Sequence, residues 1–491
     1  MRYNKILLLN PPYSGSRARV VFSTGLAYIA QTLSSAGFEY DLLDMSLGYS
    51  YGHLKRRIEY FRPDLLGVSM MSYRYKETYR ILAGAKRDFP HIDIVVGNAH
   101  VSLLREEVLN SCEYIDFAVV LEGDGTIIDL CKGQAIESIK GLIFRRNGAV
   151  VYNGDRPLMQ NLNTLPFPKY EKFELERSVN KAVNTLPIVS SRGCPFECSY
   201  CLVDRVVGRN YRVRSPEHIM DELAYWYEKG YRRFNFGDDN FTLIKERVYR
   251  LCELIRKSPM RDLKLSCDNG IRADVVDRDL LKYMRESGFY RFAIGVESGN
   301  NSVLRNLKKK EDIETIKKVI RDALDLGYGV VLFFVVGAPG ETRSELEDSF
   351  NIALNYPIDI AHFSNIVPYP HTELFKWVQK HGRFLKAPSD YLNDCPVLDN
   401  DPVFETPDMP LKERHKALRR AFAIMRKSIR RSSEKKLAHL GILGKIIAFI
   451  YASRFIQDLV IRRKIFSKTL YQISDWCFFL QKKEDRKACI D

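Results

Sequence analysis

The chain has 491 residues, of which 45% are hydrophobic and 28% charged, with ten cysteines and a net charge of +15. These values exclude a disordered chain, which buries too little apolar surface, and a disulfide scaffold, which needs denser cysteines; the length predicts two to four domains. Residues 411–491 hold 21 Lys and Arg against 7 Asp and Glu, so the basic character belongs to the C-terminal end.

The first 135 residues alternate short apolar runs with helical patterns. Residues 1–9 lack the apolar core and cleavage site of a signal peptide, so we expect a cytoplasmic protein. The predicted strands are residues 5–10, 40–43, 65–69, 92–96 and 115–120, separated by predicted helices at 25–36, 53–61, 75–88, 101–109 and 126–131. This α/β alternation predicts a doubly wound, Rossmann-like domain over residues 1–135.

Polar or glycine residues follow four of these predicted strands. Doubly wound sheets bind ligands at the carboxyl ends of their strands, and four such clusters in succession predict a ligand site. No G-x-G-x-x-G follows the first strand, which argues against a dinucleotide. Taken singly, each cluster is typical of an ordinary turn. The residues are Asn10 and Pro11, then Ser69 and Ser72, then Gly97, Asn98 and His100, then Glu122 and Gly123.

A connector is predicted at residues 136–185, with a hairpin at 141–153 around Asn147-Gly148. A second alternation then covers residues 186–385. Its six predicted strands are residues 188–190, 233–236, 263–267, 291–295, 330–336 and 360–365. The pattern predicts a partial (β/α)6 barrel of TIM type, whose active site lies where the strands end.

Three cysteines follow the first predicted barrel strand. Cys194, Cys198 and Cys201 stand at C-x3-C-x2-C spacing. An ordinary [4Fe–4S] cluster uses four thiolates, so three of them leave one iron open to a ligand. Zinc sites usually show paired C-x2-C motifs or added histidines, and none lies between Lys181 and Glu217. The spacing therefore predicts an iron–sulfur cluster rather than zinc or a disulfide.

This cysteine loop, with Tyr200 just before its last cysteine, resembles the signature of the radical S-adenosylmethionine (SAM) family. In that family the open iron binds the amino and carboxylate groups of SAM. One electron from the cluster then cleaves the sulfonium, giving methionine and a 5′-deoxyadenosyl radical that abstracts hydrogen from the substrate. The resemblance therefore implies Tyr200 beside the cofactors.

The N-terminal turns resemble the cobalamin-binding domain that precedes many radical SAM barrels. Its usual pattern is Asn-Pro-Pro, then Gly-Gly-x-His, then Gly-Glu-Gly-Glu. Here Asn98 replaces the second glycine, and the acidic pair shifts to Asp124-Gly125. The chain also lacks the D-x-H-x-x-G element, so the resemblance implies no protein histidine below cobalt. A degenerate domain that has lost cobalamin is the alternative.

The later barrel loops resemble the SAM-binding loops of the family. Gly237, Asp238 and Asp239 match the element that holds the methionine amino group, and carboxylates at a strand end suit an ammonium. Paired carboxylates are also typical of a metal site or a helix cap. Ser266, Asp268 and Arg272 are expected to reach the ribose hydroxyls and the SAM carboxylate, with Asp274 as a helix cap.

Two further loops complete the resemblance. Glu297 matches the Gly-Val-Glu-Ser position near the ribose or sulfonium, although it is also a candidate for ordering its own loop. Gly337 begins a Gly-x-Pro-Gly-Glu-Thr turn that packs by the adenine in the family. Tyr369 and His371 follow the sixth strand and are candidate proton or hydrogen donors, with an ordinary proline-rich turn as the simpler account.

Residues 386–491 are predicted to form a basic helical region. Charged residues such as Lys445 interrupt the apolar stretch at 440–461, which argues against a membrane-spanning helix. Two arrangements stay open: contact with an anionic membrane surface, or a helical cap on the barrel. Interleaved aromatics also suit nucleic acid, which nothing else supports. They are Phe449, Tyr451, Phe455, Phe466 and Tyr471.

The resemblance is to the cobalamin-dependent class that includes porphyrin cyclases, hopanoid methylases and natural-product methyltransferases. It implies a [4Fe–4S] cluster, SAM, cobalamin and methyl transfer to an unactivated carbon, with radical cyclisation or rearrangement as the alternative. We expect a small-molecule or lipid substrate and an electron donor such as flavodoxin or ferredoxin. An RNA methylthiotransferase would need a second cysteine set, and Cys112 and Cys131 are only two.

Overall fold

The computed structural model describes residues 1–12, 23–177, 185–394 and 401–453. Two large sheets dominate this part of the chain, one of seven strands and one of six, and helices alternate with the strands in both. The predicted α/β class is therefore confirmed.

The N-terminal sheet has the order β2-β1-β3-β4-β5-β6-β7. Its strands are β1 (Lys5–Asn10), β2 (Glu39–Asp44), β3 (Leu65–Ser69), β4 (Asp93–Gly97), β5 (Phe117–Val119), β6 (Leu142–Arg146) and β7 (Ala149–Tyr152). The first five strands are parallel, and the strand order reverses between β1 and β3. A reversal of this kind opens a crevice at the carboxyl ends of those strands.

Helices cover both faces of this sheet, which explains why β3 is buried along its whole length. They are Thr24–Ser35, Tyr51–Phe61, Tyr75–Asp88, Ala99–Leu104, Glu106–Ser111 and Gly123–Lys132. The prediction of a single helix at 101–109 is wrong, because the structure has two short helices there. Arg105 adopts φ 52° and divides it in two, because an L-residue in the left-handed region ends a helix. The predicted hairpin at 141–153 forms β6 and β7 and extends the sheet through antiparallel pairing with β5.

The second sheet is parallel throughout, and its strands follow chain order. After β8 (Thr185–Ile188), a short antiparallel pair of β9 (Ser191–Arg192) and β10 (Arg212–Val213) encloses the cysteine loop. The remaining strands are β11 (Arg233–Phe236), β12 (Lys264–Ile271), β13 (Phe289–Glu297), β14 (Gly329–Val336) and β15 (Ile360–Asn365). The order β8-β11-β12-β13-β14-β15 brings the six strand ends, and the loops that follow them, to one edge.

Helices follow the strands of this sheet in turn. They are Val203–Val206, Pro216–Glu228, Lys245–Lys257, Arg278–Glu286, Asn301–Asn306, Ile313–Asp325, Arg343–Asn355 and Glu373–His381. A small pair of β16 (Arg383–Phe384) and β17 (Phe404–Glu405) and the helix Pro388–Asp394 lie beyond them. One hydrophobic core joins the two large sheets, because Leu9 and Val68 of the first share it with Val335 and Ile366 of the second.

Two C-terminal helices complete the described chain, Leu411–Lys436 and Gly441–Ala452. The longer helix is a cap on the second sheet, since Leu418 and Ala421 are buried in that sheet's core. Nowhere in the described ranges is a helix both long and apolar enough to cross a membrane. Residues 454–461 of the predicted apolar stretch, and Phe455, Phe466 and Tyr471, lie outside the described residues.

Candidate functional site

The cysteine loop leaves β9 through Gly193, which has φ +90°. A side chain on this residue would meet the carbonyl oxygen of Asn210 at 2.2 Å, so only glycine fits. The loop is closed by a hydrogen bond from the Cys194 N–H to the Gly208 C=O at 3.3 Å. The loop that carries the first thiol is therefore defined by close backbone packing.

The middle of the loop is held by the strand-end helices of the same sheet. The Ser199 N–H donates to the Leu307 C=O at 3.0 Å, and the Ser199 C=O accepts from the Leu374 N–H at 2.9 Å. The Cys201 N–H donates to the Cys198 C=O at 3.0 Å, which forms a tight turn between these two cysteines. The loop therefore has a fixed position at the carboxyl edge of the sheet.

All three thiols are partly buried and unbridged. Burial raises the pKa of each, that of Cys201 to about 12, and negative charge on Cys198 would add to the shifts of Cys194 and Cys201. Iron ligation must therefore supply the energy of deprotonation, as a bound metal does for a thiol. Within the described ranges no three His, Cys, Asp or Glu side chains converge on a single metal ion. A cubane needs less convergence, because each thiolate binds its own iron.

The predicted carboxylate pair divides into two different roles. Asp238 is buried and accepts from the N–H groups of Ser190 (2.7 Å) and Ser191 (2.8 Å) and from the Ser190 hydroxyl. These bonds fix the chain just before the cysteine loop, so the acceptor capacity of Asp238 is used within the protein. Asp239 and Gly237 are exposed. Surrounding protein and the charge of Asp238 raise the pKa of Asp239 to about 6, and its charge in turn raises the pKa of Cys194.

The residues predicted to follow the third barrel strand contact neighbouring elements, and two of them, Ser266 and Asp268, lie within β12 itself. Ser266 Oγ donates to Asn235 Oδ1 at 3.1 Å, and Asp268 Oδ1 accepts from Arg291 Nε at 2.8 Å. The Arg272 guanidinium lies 3.6 Å from the centre of the Phe196 ring, which belongs to the cysteine loop.

The expected cap role of Asp274 is wrong. It accepts two hydrogen bonds from Arg272, at 3.0 and 2.8 Å, while Asp277 caps the helix by accepting from the Leu280 N–H at 2.8 Å. The Arg272 guanidinium is thereby held flat against the loop.

A buried lysine that the sequence analysis missed lies beside the cluster loop. Lys309 Nζ is 3.2 Å from Glu297 Oε1 and 3.4 Å from Glu311 Oε2. Glu297 has φ 62°, and its charge adds to the burial that raises the pKa of both Cys198 and Tyr200. In the sequence Lys309 is the middle of three lysines, which is typical of a solvated surface, so no pattern distinguishes it.

The Gly337 turn is closed by two buried side chains. The Gly337 N–H donates to Glu341 Oε2 at 2.6 Å, and the Gly337 C=O accepts from Arg414 Nη2 at 3.2 Å. A side chain at Gly337 would meet Arg414 Nη1 at 1.9 Å. Burial raises the pKa of Glu341 to about 7 and lowers that of Arg414 to about 10. The long C-terminal helix therefore supports the Gly337 turn, which the family resemblance places beside the adenine.

Side chains of the first three strand-end clusters contact neighbouring side chains. Asn98 adopts φ 89°, in the region that favours glycine, and its Nδ2 donates to Ser69 Oγ at 2.9 Å, which links the second and third clusters. Asn10 Nδ2 donates to Asp44 Oδ1 at 2.8 Å, while Asn10 Oδ1 has no partner within the described residues. Pro11 is buried directly after Asn10. A buried acceptor without a partner is what an absent hydrogen-bonding ligand leaves behind.

His100 is fully buried and neutral. Its ring stacks on Tyr75 with 4.6 Å between centroids, its Nδ1 lies 3.1 Å from Ser72 Oγ, and burial lowers its pKa to about 3. Gly97 lies at the end of β4, three residues before His100. These contacts give His100 a packing role in the described structure.

The last cluster contacts the short β9–β10 pair that encloses the cysteine loop. Glu122 Oε1 accepts from Arg212 Nη1 at 2.7 Å and from Arg192 Nη1 at 3.2 Å, and its Oε2 accepts from the Met159 N–H. Arg192 also binds Asp124 at 2.8 Å, and Gly123 lies between the two carboxylates. The strand-end edge of the N-terminal sheet therefore meets the cysteine loop two residues before Cys194.

The two candidate donors after β15 lie near the boundary of the sheets. His371 has φ +67° and is exposed, with its Nε2 3.7 Å from Glu107 Oε1. The Tyr369 C=O accepts from the Thr372 hydroxyl at 2.6 Å, and Thr372 caps the following helix. Both residues stand on an ordinary capped turn, and their chemical roles stay predictions.

Comparisons with known proteins agree with this geometry. The Radical SAM superfamily model matches residues 188–353, and the B12 binding domain model matches residues 13–130. An uncharacterized methyltransferase of Pyrococcus horikoshii is 29% identical over 86% of this chain and 92% of its own length. The anaerobic magnesium-protoporphyrin IX monomethyl ester cyclase of Cereibacter sphaeroides is 24% identical over 76% of this chain, which spans 63% of that protein.

A solved structure shares the fold. The radical SAM methyltransferase TsrM of Kitasatospora setae, with tryptophan substrate and a SAM analogue bound, has a TM-score of 0.69 at 17% identity and covers 86% of this chain and 89% of its own. A second structure of TsrM holds cobalamin and a [4Fe–4S] cluster. The chain therefore carries a B12-binding domain, matched over residues 13–130, ahead of a radical SAM domain, matched over residues 188–353.

Proposed function

We propose that the protein is a cobalamin-dependent radical SAM enzyme that transfers a methyl group to an unactivated carbon. The observation that carries this is the ion-paired contact of Glu122 and Asp124 with Arg192. It holds the carboxyl edge of the B12-binding domain against the loop of Cys194, Cys198 and Cys201. A methyl carrier and a radical source must share one substrate, and this contact supports that arrangement. The methyltransferase names of relatives point the same way.

The site residues fit the cofactors of the family. When bound, the cluster and cobalamin supply the electron that cleaves SAM and the methyl group that is transferred. The three cysteines would hold iron, and the exposed Asp239 and Gly237 would take the SAM ammonium. Ser266 and Asp268 would face the ribose, Glu297 the sulfonium end and Gly337 the adenine.

One arginine and one lysine contribute positive charge around these groups. Arg272, stacked on Phe196, would fix the cysteine loop and add positive charge beside a cluster that carries negative charge. Lys309 would do the same from the side of Glu297. Asp238 keeps the loop in place through Ser190 and Ser191. The charges of Lys309 and Arg272 each lower the pKa of Cys198 against the effect of burial, which favours the thiolate that iron binds.

Most of the candidate ligand-binding side chains of the B12-binding domain already have partners among the described residues. Asn10 Oδ1, at the end of β1 next to the strand-order reversal, is a buried acceptor that a corrinoid amide would satisfy. Ser69, Ser72, Asn98 and His100 would shape the crevice through their mutual contacts. In this proposal the main role of Glu122 is to bind Arg212 and Arg192, and contact with cobalamin is secondary.

Radical cyclisation or rearrangement is the second candidate, and the name of the porphyrin cyclase relative favours it. The substrate in either case is a small molecule or lipid. In this proposal the protein works in the cytoplasm with an electron donor such as flavodoxin or ferredoxin, its C-terminal helices contact a membrane surface, and nucleic acid has no role. Two large sheets support separate domains at 1–135 and 186–385, although β6 and β7 of the predicted connector at 136–185 extend the first sheet. The region 386–491 is the fourth proposed part, and the strand order of the second sheet supports a partial barrel.

The test is anaerobic purification with iron, sulfide and corrinoid quantified, followed by incubation with SAM and a reductant. A methyltransferase that remethylates its cobalamin from SAM forms S-adenosylhomocysteine together with 5′-deoxyadenosine. A cyclase forms 5′-deoxyadenosine without S-adenosylhomocysteine. A protein that holds four irons but no corrinoid would contradict the methyltransferase and leave a degenerate B12-binding domain.

A further inference from the structure

The helix Gly441–Ala452 buries its small residues and exposes its large ones. Gly444, Ala448 and Ala452 face the end of the long helix, and a side chain at Gly444 would meet the Leu437 C=O at 2.2 Å. On the other side Ile442 is 78% exposed and Phe449 is 61% exposed. Ordinary amphipathic helices pack in the opposite sense, with their large apolar residues inward.

The exposed residues form one continuous apolar face. Ile442, Ile446, Phe449 and Ile450 are spaced at four, three and one residues, which places them on the same side of a helix, with Leu443 beside them. Isolated exposed apolar residues need no explanation, but a contiguous set of this size marks a surface that binds something.

Cations border this apolar face. Lys445 is exposed within the helix, and Lys435 is exposed at the end of the preceding one. The Arg430 guanidinium lies 5.3 Å from the centre of the Phe449 ring. Long basic side chains can extend along an apolar surface while their charges reach a polar layer above it. The surface therefore combines apolar burial with attraction for negative charge.

We propose that the apolar face of Gly441–Ala452 lies in the interface of an anionic membrane, with Lys435 and Lys445 at the headgroups. The helix has twelve residues, too few to span a bilayer but enough to lie along its surface. The inference specifies the membrane contact named above and does not depend on methyl transfer.

Charge argues against two alternative partners for this face, namely the chain's own residues 454–491 and a second copy of the protein. Residues 454–491 carry nine Lys and Arg against five Asp and Glu, so the chain's own continuation does not complement the basic border. A second copy would bring the same cations to the contact. An anionic lipid surface complements both the border and the basic continuation, and each lysine near such a surface adds to the attraction.

The experiment is flotation of the full-length, anaerobically reconstituted protein with lipid vesicles. Vesicles of phosphatidylcholine and phosphatidylglycerol, in a ratio of about seven to three, are compared with phosphatidylcholine alone. The apolar variant is Ile442→Gln with Phe449→Gln. The matched control is Tyr60→Gln, because Tyr60 is an 83% exposed aromatic on a helix of the other domain.

We expect the wild type and Tyr60→Gln to float with the anionic vesicles. The partition coefficient of the apolar variant should be lower than that of the wild type by about tenfold or more. Lys435→Gln with Lys445→Gln should lower partitioning by about fivefold per lysine and remove the preference for anionic lipid. Iron content and thermal melting of each variant show that the fold persists. Vesicle binding is measured without SAM, so its outcome is separate from that of the proposed reaction.

Four results would overturn the proposed membrane contact. The first is a wild type that stays at the bottom of the gradient, and the second is an apolar variant that floats as well as the control. A loss of dimers in the apolar variant without vesicles would assign the face to a second copy. Carbene footprinting of the vesicle-free protein that leaves residues 442–450 unlabelled would assign it to the chain's own continuation.

Discussion

Asp124 Oδ2 accepts a hydrogen bond from Arg192 Nη1 at 2.8 Å, and the two side chains are only 5% and 14% exposed. Asp124 belongs to the B12-binding domain, whereas Arg192 stands two residues before Cys194. The pair therefore ties a domain that carries one cofactor to the loop that carries another.

Replacing Asp124 by Asn should loosen this tie. Arg192 keeps Glu122 at 3.2 Å, so we expect a loss of about 1 to 3 kcal/mol in unfolding free energy rather than the full cost of an unpaired buried charge. Denaturant unfolding measures the loss, and the cluster's electron paramagnetic resonance spectrum should change. Asp129→Asn is the matched control, because Asp129 lies on the same helix but pairs with Arg156. An unchanged spectrum in Asp124→Asn would contradict the coupling.

Replacing Cys198 by Ala removes one of three iron ligands, so the iron–sulfur absorbance and 5′-deoxyadenosine formation should both disappear. Cys252→Ala serves as the control, since Cys252 is buried in the helix Lys245–Lys257 away from the loop. Iron analysis and product chromatography measure the two effects. Retention of either activity or chromophore by Cys198→Ala would refute the cluster assignment.

Gly193→Ala tests the packing of the cysteine loop. The new methyl group would overlap the Asn210 carbonyl, and φ +90° is unfavourable for alanine, so we expect a loss of more than about 3 kcal/mol and little bound iron. Gly48→Ala has a similar φ of 96° with nothing within 4 Å of the new atom. It should cost only about 1 to 2 kcal/mol. Equal losses of unfolding free energy in the two variants would mean that overlap with the Asn210 carbonyl contributes nothing.

The buried Glu341 should make stability depend on pH. Its pKa is about 7 when folded and 4.5 in the reference state, so the folded chain binds this proton more tightly. Stability from this group is present below pH 4.5 and is lost as the pH rises towards 7, by about 3 kcal/mol at most.

Glu341→Gln should remove that part of the pH dependence, as measured by unfolding at pH 5 and pH 7.5. Glu345→Gln is the control, because its pKa is lowered and it does not titrate in this range. A Glu341→Gln profile that falls as steeply as the wild type would show that another group titrates.

The succession of strands along the chain and the cysteine loop were predictable because they depend on local patterns. Runs such as Leu65–Ser69 are apolar throughout, and a parallel sheet buries both faces of each strand. Spacing alone places Cys194, Cys198 and Cys201 on one loop. The hairpin at Asn147-Gly148 followed from turn chemistry, but its pairing with β5 depends on contacts across the sheet.

The partners of the charged residues were not predictable. Asp238 and Asp239 are adjacent in the chain, yet one is enclosed by Ser190 and Ser191 and the other faces solvent. Lys309 stands among three lysines, and only the fold brings it to Glu297. Such pairings join positions far apart in the chain, which single-sequence periodicity does not encode.

Arg414 has a consequence for how the protein can be dissected. It is completely buried beneath the Gly337 turn, 4.2 Å from the centre of the Phe404 ring, although it comes from the last quarter of the chain. A fragment trimmed before the helix Leu411–Lys436 would leave an arginine-sized void under that turn and strip the core that Leu418 and Ala421 fill. The radical-generating half therefore cannot be excised as an autonomous module.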